Sequence, residues 1–164
     1  MEPSFVQPEA GSDLSDITPN NLKKRTAFRL LHHLPHLLRR AHFEADAVFV
    51  QMHGKAVTSR QMALLAAVGR QPGLSQSQVA QEIGLDLNTC SDLVARTVGK
   101  GLLVRQRSAV DARSFCLQLT NEGSLVAAEG MDRAAEYQKA VAHRLSAAEL
   151  RQLVDLLRKL LGFN

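Results

Sequence analysis

Residues 75–100 read SQSQVAQEIGLDLNTCSDLVARTVGK, a stretch that carries two helices and the turn between them. Ser75 and Gln78 stand three apart ahead of an apolar run, which is the spacing of a capping box. In such a box the serine hydroxyl accepts from the third helical amide and the glutamine side chain returns to the serine amide. The helix it opens is short, with Val79, Ala80 and Ile83 as apolar positions, and Gly84 is placed to take the left-handed conformation that ends a helix. Beyond Leu85 and Asp86 a second helix is predicted over residues 87–100, with Leu93, Val94 and Val98 turned inward. A short helix, a tight turn and a longer helix form the plan of a helix-turn-helix, where the first helix braces the second as its N-terminal half enters the major groove.

The flanks extend this plan. Upstream, Thr58 and Gln61 form another capping box, opening a helix through Met62, Leu64, Leu65 and Val68 that Gly69 and the Gln71-Pro72-Gly73 turn terminate. Downstream, Gly101 closes the recognition helix and Leu102, Leu103 and Val104 lead into Arg105 and Arg107. Residues 114–119 alternate as a short half-buried strand, and the polar stretch 106–113 reads as a hairpin tip, a wing beside the recognition helix. A long helix is predicted from Asn121 through Leu125, Val126 and Met131 toward Val141. Ser146 and Glu149 make a further capping box ahead of a terminal amphipathic helix with Leu150, Leu153, Val154, Leu157, Leu160 and Leu161. Before the winged unit, Leu30, Leu31, Leu34, Leu37, Leu38 and Ala41 recur at helical spacing in a run that begins near Lys23 and ends at Gly54. Pro35 inside that run is expected to kink the helix or restart it. The fold class expected is mainly α with a small β-wing, and the leucine-rich helices at about 23–53 and 123–162 are expected to serve dimerisation.

Charge is distributed unevenly over the 164 residues. The net +4 hides an N-terminal stretch, residues 1–20, with Glu2, Glu9, Asp13 and Asp16 and no Lys or Arg, which reads as a mobile acidic tail. The remaining chain, residues 21–164, holds 20 basic and 12 acidic side chains, a net +8. Five of the basic residues, Arg96, Lys100, Arg105, Arg107 and Arg113, fall within residues 96–113 against the single acid Asp111. A basic hairpin next to a recognition helix suits the phosphate backbone or the adjacent minor groove. Asn88, Thr89, Ser91 and Asp92 are the side chains expected to meet base edges and phosphates, with Ser75 and Gln76 at the bracing helix. Two cysteines exclude a disulfide scaffold, and no apolar run reaches the length of a membrane span. Glu2 and Pro3 stand where a secretory signal needs positive charge, so a cytoplasmic protein is expected. No glycine-rich phosphate loop, GxSxG, HExxH or evident carboxylate pair points to an enzyme, and no cofactor is expected.

Taken together, these residues resemble the multiple-antibiotic-resistance regulator (MarR) family. The likeness rests on Val57-Thr58-Ser-Arg-Gln61, on Leu74-Ser75 through Ile83-Gly84, and on Thr89, Leu93, Val94, Arg96, Gly101, Leu102 and Arg105. Asp111-Ala-Arg113 and Leu117-Gln-Leu119-Thr120-Asn-Glu-Gly123 complete it, and with the flanking helices it covers about residues 25–162. The resemblance implies a homodimeric transcriptional regulator, usually a repressor that a small ligand releases from a pseudo-palindromic DNA operator. It also implies that Arg113 reaches phosphate or minor groove while Asp111 helps to fix the hairpin. The chain departs from many members at Asp92, where they carry Arg, and at Thr97, where they carry Leu.

Three kinds of effector come into view. His36, Arg39, Arg40, Phe43, Phe49, Met52 and His53 occupy the stretch where the resemblance places a ligand pocket, and cations beside aromatic side chains suit a small organic anion: an aromatic acid, a phenol or an aromatic acyl thioester. Phe43, Phe49 and Met52 read equally well as plain core, and Arg39 and Arg40 as a solvated face. Metal sensing draws on His32 and His36, four residues apart, but Pro35 disturbs that turn and no CxxC accompanies them, so no metal site is expected. Redox sensing would use Cys90 or Cys116, both expected to be structural. A winged module used for protein contacts instead of DNA is the remaining alternative.

Overall fold

The computed structural model describes residues 29–107 and 115–163. The expected acidic tail, the start of the first helix and the wing tip with Asp111 and Arg113 lie outside the described residues. The chain divides into two units, residues 1–41 and 42–164.

In the first unit, Leu30–His32 form a 3-10 turn rather than the continuous helix that the leucine spacing predicts. Helix α1, Leu34–His53, begins immediately afterwards with Pro35 in its first turn. The ring's missing N–H is harmless there, because the first helical amides have no partner within the helix. Pro35 therefore restarts the helix and does not kink it.

In the second unit, helix α2, Ser59–Arg70, opens on the Thr58 box, with Gln61 N–H donating to Thr58 Oγ1 at 3.2 Å and Thr58 N–H to Gln61 Oε1 at 3.2 Å. Helix α3 is Gln76–Glu82 and helix α4 is Leu87–Gly99. Strands β1, Leu103–Arg107, and β2, Phe115–Leu119, pair antiparallel with Leu103 opposite Leu119 and Arg107 opposite Phe115. The segment before α3 adds to this hairpin: Leu117 N–H donates to Leu74 O at 2.9 Å, Gly73 N–H to Leu117 O at 3.2 Å, and Ser75 bridges to Cys116. The chain ahead of the bracing helix is thus tied to the wing's return strand.

The predicted long helix is broken once. Helix α5, Asn121–Asp132, and helix α6, Ala134–Val141, meet at Arg133, whose φ of −90° and ψ of 0° lie at the edge of the right-handed helical region. Arg133 N–H still donates to Glu129 O and its carbonyl still accepts from Tyr137 N–H, so the break is local. Gly130, with its high backbone freedom, lies three residues before it. Helix α7, Ala147–Leu160, opens on the Ser146–Glu149 box as expected.

The core gathers Leu64, Leu65, Val68, Val79, Val94, Leu103 and Leu117, all buried, between α2, α3, α4 and the hairpin. Helix α5 contributes its small residues. Gly123, Ala127 and Gly130 are buried, whereas Leu125 and Met131, read from the sequence as apolar helix positions, are 68% and 52% exposed. The reason is close approach: a Cβ on Gly130 would lie 2.2 Å from Met62 Sδ, and one on Gly123 would lie 1.9 Å from Leu102 O. Only a face without side chains lets α5 come that near.

Candidate nucleic-acid interface and effector cleft

The recognition helix is set up by local hydrogen bonds. Ser75 N–H donates to Gln78 Oε1 at 2.8 Å and Gln78 N–H to Ser75 Oγ at 3.3 Å, which fixes the start of α3. Gly84, at φ +68°, turns the chain, and Leu85 N–H returns to Ala80 O. Asp86 then caps α4, a role that its reading as a turn residue missed. Its Oδ1 accepts from Asn88 N–H at 3.0 Å and Thr89 N–H at 2.9 Å, and its Oδ2 accepts from Thr89 Oγ1 at 2.6 Å. These bonds, the Thr89 hydroxyl's first, hold the Asp86 carboxyl below its ordinary pKa. The signal was available, since Asp is among the best N-caps.

Around this start lie the side chains expected to read DNA. Asn88 and Asp92 are exposed, and Thr89 and Ser91 are half-buried. The Thr89 hydroxyl donates to the cap and keeps its lone pairs for a further donor. Gln76 and Arg105 come together, with Arg105 Nη2 donating to Gln76 Oε1 at 3.1 Å, so strand β1 and the bracing helix present one polar surface. Arg107 is exposed at the outer end of β1. Asp111 and Arg113 are outside the described residues.

Arg96 and Lys100 have a different setting. Both line a cleft of about 760 Å³ in the second unit, together with Asp46, Lys55, Arg60 and the apolar walls Phe49, Val50, Val57 and Leu93. Lys100 Nζ donates to Gln61 Oε1 at 3.0 Å and to Ala56 O. Gln61, 3% exposed, donates from Nε2 to Thr97 Oγ1 at 3.2 Å, and the fully buried Thr97 hydroxyl donates to Leu93 O at 2.7 Å. Thr97 is therefore paired with Gln61, and among the described residues no buried side-chain nitrogen or oxygen is left without a partner. On the cleft rim, Asp46 accepts from Ser59 Oγ at 2.5 Å and lies 3.4 Å from His42 Nε2.

The expected ligand residues separate. Phe49 is buried and stacks on His53 with ring centroids 4.5 Å apart, and Tyr137 meets Phe49 edge-on at 5.5 Å. Tyr137, anchored by its hydroxyl on Ala45 O at 3.0 Å, was not singled out in the sequence. These three rings line a second, apolar cavity of about 240 Å³ with Met62 and Ala134. Met52 is half-buried, and Phe43 is 57% exposed. In the first unit, Arg39 Nη2 lies 3.2 Å from His36 Nδ1, and Arg39 and Arg40 are exposed. Partial burial, with Arg39, Arg40 and His33 nearby, lowers the His36 pKa. Lys55, Arg60 and Gln61 carried no ligand signal because it is tertiary packing that sets them against Leu93, Arg96 and Lys100 of α4.

Cys90 is buried, its thiol directed to Gln76 O at 3.7 Å, and burial pushes its pKa up, the opposite of a reactive thiolate. Among the described residues no three His, Cys, Asp or Glu side chains are grouped to hold a metal ion, and no helix is long and apolar enough to cross a membrane.

The family model of MarR proteins matches residues 57–114 of this chain. The crystal structure of the PcaV transcriptional regulator from Streptomyces coelicolor, in complex with its natural ligand, superposes with a TM-score of 0.76 at 32% identity, over 82% of this chain and 96% of that one. The chain belongs to the MarR family. A further structure, that of BpsR from Bordetella bronchiseptica, whose DNA binding is regulated by 6-hydroxynicotinic acid, aligns with a TM-score of 0.75 at 27% identity over 81% of this chain and 96% of its own. A curated protein of Thauera aromatica, described as a transcriptional regulatory protein for the hcr operon, is 29% identical over 153 residues, 92% of this chain and 87% of its own. The MarR chain described here is accordingly a DNA-binding transcriptional regulator of the winged-helix type.

Proposed function

We propose that this MarR protein is a homodimeric repressor, released from a pseudo-palindromic operator by a small aromatic acid. The observation that carries the effector class is the cleft: its lining includes four cations, Lys55, Arg60, Arg96 and Lys100, and a single carboxylate, Asp46, together with apolar walls. A site of that make-up favours a flat apolar body with one negative charge, since charge-assisted hydrogen bonds to a carboxylate are the strong ones. The 6-hydroxynicotinic acid that regulates BpsR is an anion of this kind. Of the residues expected from the sequence to bind an effector, Phe49 borders this cleft.

On the DNA side, Asn88, Thr89, Ser91 and Asp92 are assigned to the major groove. Ser75, Gln76, Arg105 and Arg107, with Asp111 and Arg113 of the wing, are assigned to backbone and minor groove. Two recognition helices about 34 Å apart would read the two half-sites. Dimerisation is supported by helix α7, which has no buried residue although Leu153, Val154, Leu156, Leu160 and Leu161 lie along it. A contiguous apolar face of this kind is what a second copy covers. In the first unit Leu30, Leu31, Leu34, Leu37 and Leu38 are exposed as well.

The test is fluorescence anisotropy on the DNA upstream of the protein's own gene, titrated with salt and then with a panel of aromatic acids. Binding that exceeds random DNA, weakens steeply with salt and is reversed by at least one acid is the expected result. Absence of operator preference at physiological salt would leave the protein-contact alternative in its place, and binding that no acid reverses would remove the effector class.

A further inference from the structure

Lys100 is the C-cap residue of the recognition helix α4, yet its ammonium is bonded inward, to Ala56 O and Gln61 Oε1. Gln61 is shared three ways. Its Oε1 completes the capping box of α2 and receives Lys100, and its Nε2 donates to Thr97. One buried side chain in the first turn of α2 is therefore tied to the recognition helix at Thr97 and again at Lys100. Lys100, Gln61, Arg96 and Leu93 all border the cationic cleft, so the ties lie where an effector would enter.

Both acceptors that hold Lys100 are neutral. A carboxylate is the better partner, because it adds the attraction of an opposite charge to a hydrogen bond that the ammonium alone already strengthens. We infer that the Lys100 ammonium is the group for which effector and recognition helix compete: it latches the end of α4 onto Ala56 and Gln61 when the cleft is empty, and it transfers to the carboxylate of an incoming organic anion. This rests on the reading of the cleft as an anion site given above. Arg96, one helical turn before Lys100 on the same cleft wall, supplies the second cation. Binding and helix position are then one equilibrium, and an anion that takes Lys100 alters DNA affinity by as much as it prefers the unlatched state. The consequence for the DNA interface is that Lys100, expected from the sequence to touch DNA, contributes no phosphate contact.

The experiment uses the full-length protein and its Lys100→Met and Lys100→Arg variants, the first keeping the stem without the charge, the second keeping the charge. Calorimetry is run with benzoate, 4-hydroxybenzoate and 6-hydroxynicotinate, each beside its uncharged amide. The expected result is that acids bind the wild type at least ten times more tightly than their amides, that Lys100→Met weakens those acids at least tenfold, and that Lys100→Arg recovers most of the loss. Two readouts need no effector. Amide hydrogen exchange in the last turn of α4 should be faster in Lys100→Met, and the salt slope of binding to a random DNA duplex should match the wild type. A slope flattened by about 0.9 for each lost contact would identify Lys100 as a phosphate ligand and overturn the inference. Wild-type acid affinity in Lys100→Met, or unchanged exchange in α4, would overturn it too. If no acid binds the wild type, the anion reading of the cleft fails along with the competition, while exchange and salt slope still decide the latch.

Discussion

Replacing Gly123 by alanine tests the close approach on which the packing of α5 depends. The added methyl carbon would lie 1.9 Å from Leu102 O, 2.9 Å from its carbonyl carbon and 3.3 Å from its Cα. Since carbon and carbonyl oxygen come no nearer than about 3.3 Å even in favourable contacts, about 1.4 Å of separation must be opened. Leu102 cannot supply it cheaply. Its oxygen accepts from Thr120 N–H at 3.2 Å, its N–H donates to Thr97 O at 3.2 Å, and its neighbour Leu103 is paired with Leu119. Backing α5 away instead would pull Thr120 Oγ1 from Gly101 O, now at 2.7 Å, while the same hydroxyl caps Gly123 N–H at 2.9 Å. Overpacking of this kind costs about 1–3 kcal/mol or somewhat more, and alanine's better helix propensity returns about 1 kcal/mol. A net loss of about 2 kcal/mol corresponds to about 4–8 °C in Tm for a chain of this size. Thermal unfolding followed by circular dichroism, at equal protein concentration for each variant, measures it. Gly99→Ala is the internal control: nothing lies within 4 Å of its Cβ position, so the same substitution should leave Tm unchanged or raise it. If Gly123→Ala behaved like Gly99→Ala, the tight seating of α5 on Leu102 would be wrong.

Thr97→Val keeps the shape of a buried side chain and removes the hydroxyl that accepts from Gln61 Nε2, so about 1–3 kcal/mol of stability should be lost in urea unfolding; an unchanged midpoint would deny the Gln61 pair its role. Asp86→Ala should lower Tm at neutral pH by uncapping α4. Because the folded carboxyl has a depressed pKa, its contribution is present above the ordinary carboxylate value and fades as the pH falls through the folded one, so the gap to wild type should narrow below about pH 4 in a series of melts. A gap that widens in acid would contradict this. In a thiol titration of the native protein, half-buried Cys116 should react well before buried Cys90, and denaturant should equalise them; equal native rates would show that Cys90 is accessible.

The elements that chain-local chemistry controls were legible residue by residue. The boxes at Thr58, Ser75 and Ser146 form with both reciprocal bonds, because donor and acceptor are three residues apart on one chain. Leu64, Leu65, Val68, Val79 and Val94 are core, as their helical spacing requires. What local spacing left open was decided by distant partners. Leu125 and Met131 face outward because the glycines of α5 accept Leu102 and Met62. The long helix predicted from Asn121 is interrupted at Arg133, although its apolar pattern continues past that residue.

By itself, the sequence determined the order of elements, their caps and the winged helix-turn-helix plan, since each depends on contacts a few residues apart and on a hydrophobic period that reads out which face is inward. Tertiary structure alone decided which cations share a cleft, that Lys100 turns to Ala56 and Gln61, and that Thr97 has a buried partner 36 residues away. The physical reason is that a long charged side chain can serve DNA, solvent or a buried acceptor with the same local sequence. Only the folded chain's arrangement of acceptors and apolar walls selects among them.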